Sequence, residues 1–169
     1  MPAARNARTA TTLAPLLGRD LLLRYTSSSG FFEDADLLAQ RSGTLLDIER
    51  ADGLANLEQA LANRLKTRKG ELTGLGHPEY GSRHHELIGE PNVERTRHLI
   101  KLYVLQALRD EPRIEKVLAA VVTAEHSPPR ETVRIELGLR VRGEPDPLNL
   151  VLPFSLGTGI DGFDAGSAA

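Results

Sequence analysis

Residues 93–142 read VERTRHLIKLYVLQALRDEPRIEKVLAAVVTAEHSPPRETVRIELGLRVR. The apolar period changes within this stretch. Val93, Thr96, Leu99, Ile100, Tyr103, Val104, Ala107 and Leu108 recur every 3.6 residues, the mark of a helix with one apolar face. Asn92 is its candidate N-cap. Pro112 stops the helix and biases Glu111 away from helical dihedrals. Beyond it the period becomes 2. Val117–Ala124 is rich in strand formers, and Pro128-Pro129 force a turn within His126–Arg130. In Thr132–Arg142, Val133, Ile135, Leu137, Leu139 and Val141 face one way. Arg134, Glu136, Arg140 and Arg142 face the other, as in an antiparallel strand with one wet face.

Working outward, Gly143–Pro147 is a turn, and Leu148, Leu150, Leu152 and Phe154 alternate again. Pro153 marks that strand as a sheet edge. Upstream, Leu54, Leu57, Leu61 and Leu65 form one stripe of a helix over Leu54–Lys69. Asp52 is its candidate N-cap, Lys66, Arg68 and Lys69 complement its C-terminal dipole, and Gly70 is its stop. Residues 70–81 (GELTGLGHPEYG) are a loop, and Ser82–Ile88 predicts a two-turn helix ending at Gly89. Gly18–Tyr25 fits either a strand or a helical turn, Ser27–Gly30 a turn, and Leu45–Ile48 a short apolar segment. The expected fold is α+β, with two main helices packed on a three-stranded antiparallel meander and short extra N-terminal elements. Residues 18–155 form its single domain. Residues 1–17 are expected to be a flexible arm, and 156–169, rich in Gly, Ala and Ser, a flexible tail.

The chain has 169 residues, a one-domain length. With 21 Lys+Arg against 23 Asp+Glu, its net charge of −2 lacks the footprint of a general nucleic-acid binder. The absence of Cys excludes disulfides, thiolate metal sites and thiol catalysis. No apolar run approaches the ~18–20 residues that span a bilayer. Met1–Ala14 has no apolar core of a secretory signal. Aromatic residues are 4% and Trp is absent, so a sugar- or base-stacking surface is poorly supplied.

No catalytic or metal-binding residue is assigned. His77, His84, His85 and His98 fall in one stretch, but no spaced ligand motif is present, and adjacent His84 and His85 diverge on a helix. Glu71, Glu79, Glu86 and Glu111 could supply a carboxylate pair, yet nothing sets a separation or a cleft. Ser27-Ser28-Ser29 lacks the context of a nucleophile elbow, and Gly74-x-Gly76 follows no strand. Glu111-Pro112-Arg113, where helix gives way to sheet, is the more informative spot.

The ordered motifs resemble the baseplate wedge and sheath-initiator family of contractile tails. That family includes the phage tail lysozyme-like wedge protein, the type VI secretion wedge subunit and extracellular injection-system relatives. The residues that carry the likeness are Asn56–Leu61, Arg64-Leu65 through Thr67, Lys69-Gly70-Glu71-Leu72, His77-Pro78-Glu79-Tyr80-Gly81-Ser82 and Glu111-Pro112-Arg113-Ile114, followed by the meander. It spans about residues 45–155. The resemblance implies a structural subunit without cofactor that joins the wedge scaffold to the first sheath ring and templates sheath assembly. It puts Glu111, Pro112 and Arg113 against the helical core bundle of the wedge proteins, with both charges presented on a stiff corner. The strands carrying Arg134, Glu136, Arg140, Arg142, Leu150 and Leu152 would face the sheath through backbone pairing. Implied partners are other wedge proteins and sheath subunits, with central spike, hub or tube proteins as further neighbours. Several copies per particle are implied, six being the expected number. Neither nucleic acid nor direct membrane insertion is expected. Assembly would take place in the bacterial cytoplasm. Two other classes compete: a peptidoglycan-cleaving hydrolase, which needs a cleft with two carboxylates, and a small regulatory binding module, which would be a stable free monomer.

Overall fold

The computed structural model describes residues 16–28, 32–42, 44–125 and 130–157. Most of the expected arm and tail, and the turn residues 126–129, lie outside them. The inner ends of the arm and tail do not. Leu17 and Leu156 are each 2% exposed and pack in the apolar core, so the core reaches past both expected limits of the domain.

Helix α1 spans Leu54–Lys66 and buries Leu57, Leu61 and Leu65 along one stripe. Each leucine so buried contributes about 1.5–3 kcal/mol. The helix opens on Gly53, whose φ of 62° only glycine adopts cheaply. The expected cap, Asp52, lies instead in a strand and pairs with Arg19. The helix stops before Lys69 because Thr67 turns to extended backbone and the chain enters a bridge between Arg68 and Ser82. Helix α2, Glu94–Arg109, buries Thr96, Ile100, Val104, Ala107 and Leu108. Asn92 does not cap it. Its side chain donates to the Arg130 carbonyl at 2.9 Å and accepts from Arg97. Between the helices, Glu71–Leu75 and His84–Leu87 are single 3₁₀ turns, the second standing where two helical turns were expected.

Three strands follow, named here for their place after six N-terminal ones: β7 (Ile114–Ala124), β8 (Thr132–Val141) and β9 (Leu148–Ser155), in sheet order β7-β8-β9. The alternation expected for β8 and β9 holds. Val133, Ile135, Leu137, Leu139, Val141, Leu148, Leu150, Leu152 and Phe154 are buried, and Arg134, Glu136, Arg140 and Arg142 are exposed. Pro153 does lie on an edge strand. The β8–β9 register runs unbroken from Thr132↔Ser155 to Leu139↔Leu148. The β7–β8 register shifts between Ile114 and Lys116 and again between Val117 and Ala119, so β7 is irregular at its start.

Residues 19–52 form six short strands: β1 (Arg19–Leu21), β2 (Leu23–Ser28), β3 (Phe32–Leu37), β4 (Ala39–Ser42), β5 (Leu45–Ile48) and β6 (Arg50–Asp52). They make three separate antiparallel ribbons, β1/β6, β2/β3 and β4/β5. The ribbons meet at Leu22, Leu38 and Glu49. There Leu22 N–H donates to the Glu49 carbonyl at 2.9 Å and Glu49 N–H to the Leu38 carbonyl at 2.8 Å. A shared device stands two residues before each junction residue. Asp20, Asp36 and Asp47 each accept, through Oδ1, the N–H of the next residue at 2.8, 2.8 and 2.9 Å. Helix α1 anchors this branched unit. Gln59 donates to the Leu21 carbonyl at 2.9 Å and accepts from Leu23 N–H at 2.8 Å. Burying Gln59 and Asn56 costs little because backbone partners satisfy them.

Candidate functional site

Pro112 ends α2 as the second residue of a turn closed by Ile114 N–H on the Glu111 carbonyl at 3.1 Å. That is the position proline's fixed φ prefers. The turn aims Glu111 inward, where it is 5% exposed. Its carboxylate receives Arg113 through Nε at 2.6 Å and Nη2 at 3.1 Å, and Arg64 from α1 at 3.5 Å. The expectation that both charges of the motif stand free on the surface is therefore corrected. Glu111 is an internal counter-ion, because a carboxylate this deep must be paired. Burial acts to raise its pKa. The hydrogen bonds and charge of Arg113, with Arg64 adding, outweigh that and hold the carboxyl below the ordinary range. Arg113 is half-buried and its third nitrogen reaches the Leu17 carbonyl at 3.3 Å, to which Asn56 also donates at 2.8 Å. Pro112 alone of the three is exposed.

The segment 77–82 closes the corner from the other side. Gly81 sits at φ 104°, and a Cβ there would come within 2.7 Å of the Thr67 carbonyl. Only glycine permits this approach, which lets Ser82 N–H donate to Thr67 and Lys69 N–H to Ser82 at 2.9 and 3.0 Å. Tyr80 is thereby placed under the Arg64 guanidinium, 4.5 Å from ring centroid to carbon. Burial raises the Tyr80 hydroxyl's pKa. Buried Arg64 Nε has no hydrogen-bond partner among the described residues, and the ring face stands in for one. Arg64 and Tyr80 were quoted in the sequence motifs without a role. The signal that could have found them is an arginine one position before the apolar stripe residue Leu65.

His84 is 3% exposed, bonds Ser82 Oγ through Nδ1 at 2.7 Å and meets Phe154 edge-on at 4.9 Å. Burial, with a smaller contribution from His85, lowers its pKa to about 4. His77 and His98 are exposed, and His85 bonds the Ser82 carbonyl. Among the described residues no group of His, Asp or Glu is placed to hold a metal.

The six residues assigned to the sheath-facing strands separate. Leu150 and Leu152 are 3% and 0% exposed and point into the core, so they offer no side chain to a partner. Strand β8 is central, with both edges paired, so among the described residues only β7 and β9 keep an open edge in this sheet. Arg134 and Glu136 satisfy each other at 2.8 Å, and Arg142 Nε donates to the Pro112 carbonyl at 2.7 Å, which ties the sheet to the corner. Arg140 is exposed.

A cavity of about 800 Å³ is lined by Glu90, Asn92, Glu125, Arg130 and Glu131 among others, and one of about 230 Å³ by Lys69, Glu79, Arg83 and Asp110 among others. Of the four candidate carboxylates only Glu79 lines either, and it is paired with Lys69 at 2.8 Å. Glu58, whose pKa burial raises, lines neither. Among the described residues no helix is long and apolar enough to cross a membrane.

The family described as baseplate wedge protein gp25 matches residues 51–146. A crystal structure from Geobacter sulfurreducens, named for a tail lysozyme, is similar to this chain with a TM-score of 0.51 and 27% identity. The likeness covers 59% of this chain and 87% of that one. No curated protein gives a significant match.

Proposed function

This chain belongs to the gp25 baseplate wedge family and is a baseplate component of a phage-like particle; from that premise we propose that it joins the wedge scaffold to the first sheath ring and templates sheath growth. The observation that carries the proposal is the locked corner. Glu111 is consumed internally by Arg113 and Arg64, so its charge stiffens the turn and leaves Pro112, with one flank of Arg113, as what a wedge neighbour touches. A preorganised corner lowers the entropic cost of binding. The Arg142 bond to the Pro112 carbonyl makes corner and sheet one rigid piece.

On the sheath side the unbroken register of β9 supports strand addition along its outer edge. No described strand pairs there, whereas β7 is irregular. Pro153 lacks a donor, and Gly89 N–H already takes the Leu156 carbonyl at 2.7 Å, which confines pairing to the Leu148–Leu152 end. The chain acts without catalysis in this reading, assembles in the bacterial cytoplasm, and has wedge and sheath proteins as partners in several copies per particle.

Two variants test it. Pro112→Arg keeps the buried ion pairs and should leave the chain folded yet unable to bind wedge proteins; normal particle yield would sink the corner's role. A proline at Leu150 should give baseplates without polymerised sheath, provided the chain still folds, and full-length sheaths would show that docking occurs elsewhere. Peptidoglycan should remain intact in the presence of purified protein. Turnover lost by a single Glu→Gln change would establish the hydrolase instead.

A further inference from the structure

The corner carries more positive charge than it neutralises. Arg113 and Arg64 share the single Glu111 carboxylate, and Arg142 adds a third guanidinium on the Pro112 carbonyl, so two positive charges are in excess. Asp110, the acid next along the chain, is held by Arg109 at 3.4 Å. Arg142 is exposed and makes no ion pair among the described residues.

The Arg142 side chain is nonetheless held in place. Its Nε donates to the Pro112 carbonyl at 2.7 Å, across 30 residues of chain. That bond uses Nε alone, and the Nη1 and Nη2 groups bond nothing among the described residues. With Nε anchored, the far end of the fork stays free beside the one exposed residue of the Glu111-Pro112-Arg113 motif. The fold does not need this arrangement. The backbone already closes this end of the sheet, because Arg142 N–H donates to the Arg113 carbonyl at 2.9 Å and Ile114 pairs with Val141. Pro112 is exposed, so water would satisfy its carbonyl as well. A long exposed side chain held without a structural need has already lost the entropy that binding would otherwise cost.

We propose that Arg142 is the residue by which the Pro112 corner recognises its wedge neighbour, and that the neighbour presents a side-chain carboxylate end-on to Nη1 and Nη2. This rests on the wedge reading above. A planar fork meets a carboxylate through two parallel bonds, which a lysine cannot do. The excess positive charge repels a cationic group at this spot and attracts an anionic one. The outward charge expected of Glu111 and Arg113 is thus supplied by the residue that follows β8.

The test measures binding of the full chain to the wedge proteins of the same particle by calorimetry, across a salt series. Arg142→Gln should weaken binding about tenfold and flatten its dependence on salt, because an ion pair is lost. Arg142→Glu should weaken it further by setting like charges together. Arg142→Lys keeps the charge but neither the anchor nor the fork, and should recover only part of the affinity. None of the three should shift the melting temperature by more than about 2 °C. Nor should they speed exchange, in the free chain, of the Glu111, Arg113 and Ile114 amides that close the turn. Wild-type affinity in Arg142→Glu, or unchanged salt dependence in Arg142→Gln, would overturn the inference. Full affinity in Arg142→Lys would also overturn it, by reducing the residue to a point charge. So would faster exchange of the turn amides in free Arg142→Gln, which would make the residue a brace for the turn. If Pro112→Arg abolishes binding while every Arg142 variant binds as wild type, this inference falls and the wedge reading stands. If the wild type binds no wedge protein, the wedge reading falls first and this one with it.

Discussion

Strands β8 and β5 are both antiparallel and both rich in branched apolar residues, yet they are treated oppositely. β8 puts Val133, Ile135, Leu137, Leu139 and Val141 at 0–2% exposure, flanked by two strands and covered by helices. β5 has a single partner strand and no buried residue. The difference teaches that apolar content does not make a strand structural. A covering layer does, and among the described residues β5 has none.

The comparison breaks most visibly at Phe154. Removing this 1%-exposed ring should cost about 3–5 kcal/mol, read as a lower urea midpoint at unchanged slope. A loss under ~1 kcal/mol would mean that the core collapses around the missing ring.

Next in size is Glu111→Ala. It leaves two largely buried guanidinium groups without their anion and should cost about 3 kcal/mol, while Arg113→Ala strands the carboxylate at similar cost. Unchanged unfolding midpoints in both variants would return the motif to the surface.

A pH titration sharpens the same contrast. The pKa of His84 falls from 6.5 to about 4 on folding, so between those values the unfolded chain binds the proton that the folded one refuses. Stability should therefore fall as pH drops from ~6.5 toward 4, by at most about 3 kcal/mol, and His84→Gln should flatten that window. Glu111, held low when folded, adds a further loss once pH falls below its ordinary carboxylate value. A slope in His84→Gln equal to wild type would put the titration elsewhere.

The smallest effect belongs to the ribbon. Leu46→Ser should change the stability of the free chain by less than ~0.5 kcal/mol despite deleting a leucine. A larger change would mean the ribbon packs on the core in solution.

The core was legible because its periods are clean. The alternation of β8 and β9 matches the buried set, as do Leu57, Leu61 and Leu65 of α1 and Thr96, Ile100, Val104, Ala107 and Leu108 of α2, whereas Leu54, Leu99 and Tyr103 are half-buried and Val93, at the helix entrance, is exposed. The caps were not, since local preference lost to tertiary demand. Asp52 was drawn into a strand facing Arg19, and Asn92 into holding Arg130 and Arg97. The corner was legible as a place but not as a geometry. Residue types cannot say that Glu111 turns inward, because the pocket that receives it draws on distant partners: Arg64, 47 residues away, beside it, and Leu17, 96 residues from Arg113, holding that guanidinium. The branched unit escaped because its repeat is three residues long: Asp20-Leu21-Leu22, Asp36-Leu37-Leu38 and Asp47-Ile48-Glu49. So short a pattern at uneven spacing has no period to detect.

The bond between Leu17 and Arg113 joins residues 96 apart, and that separation orders events during synthesis. At ~5–20 residues per second, the ribosome needs about 5–20 s to deliver Arg113 after Leu17. During that interval the ribbons, residues 19–52, are themselves synthesised, while the corner that anchors their root and the sheet behind it come last. The branched unit is therefore made long before the residue that fastens its root, and Leu17 waits for Arg113 before its carbonyl gains the guanidinium.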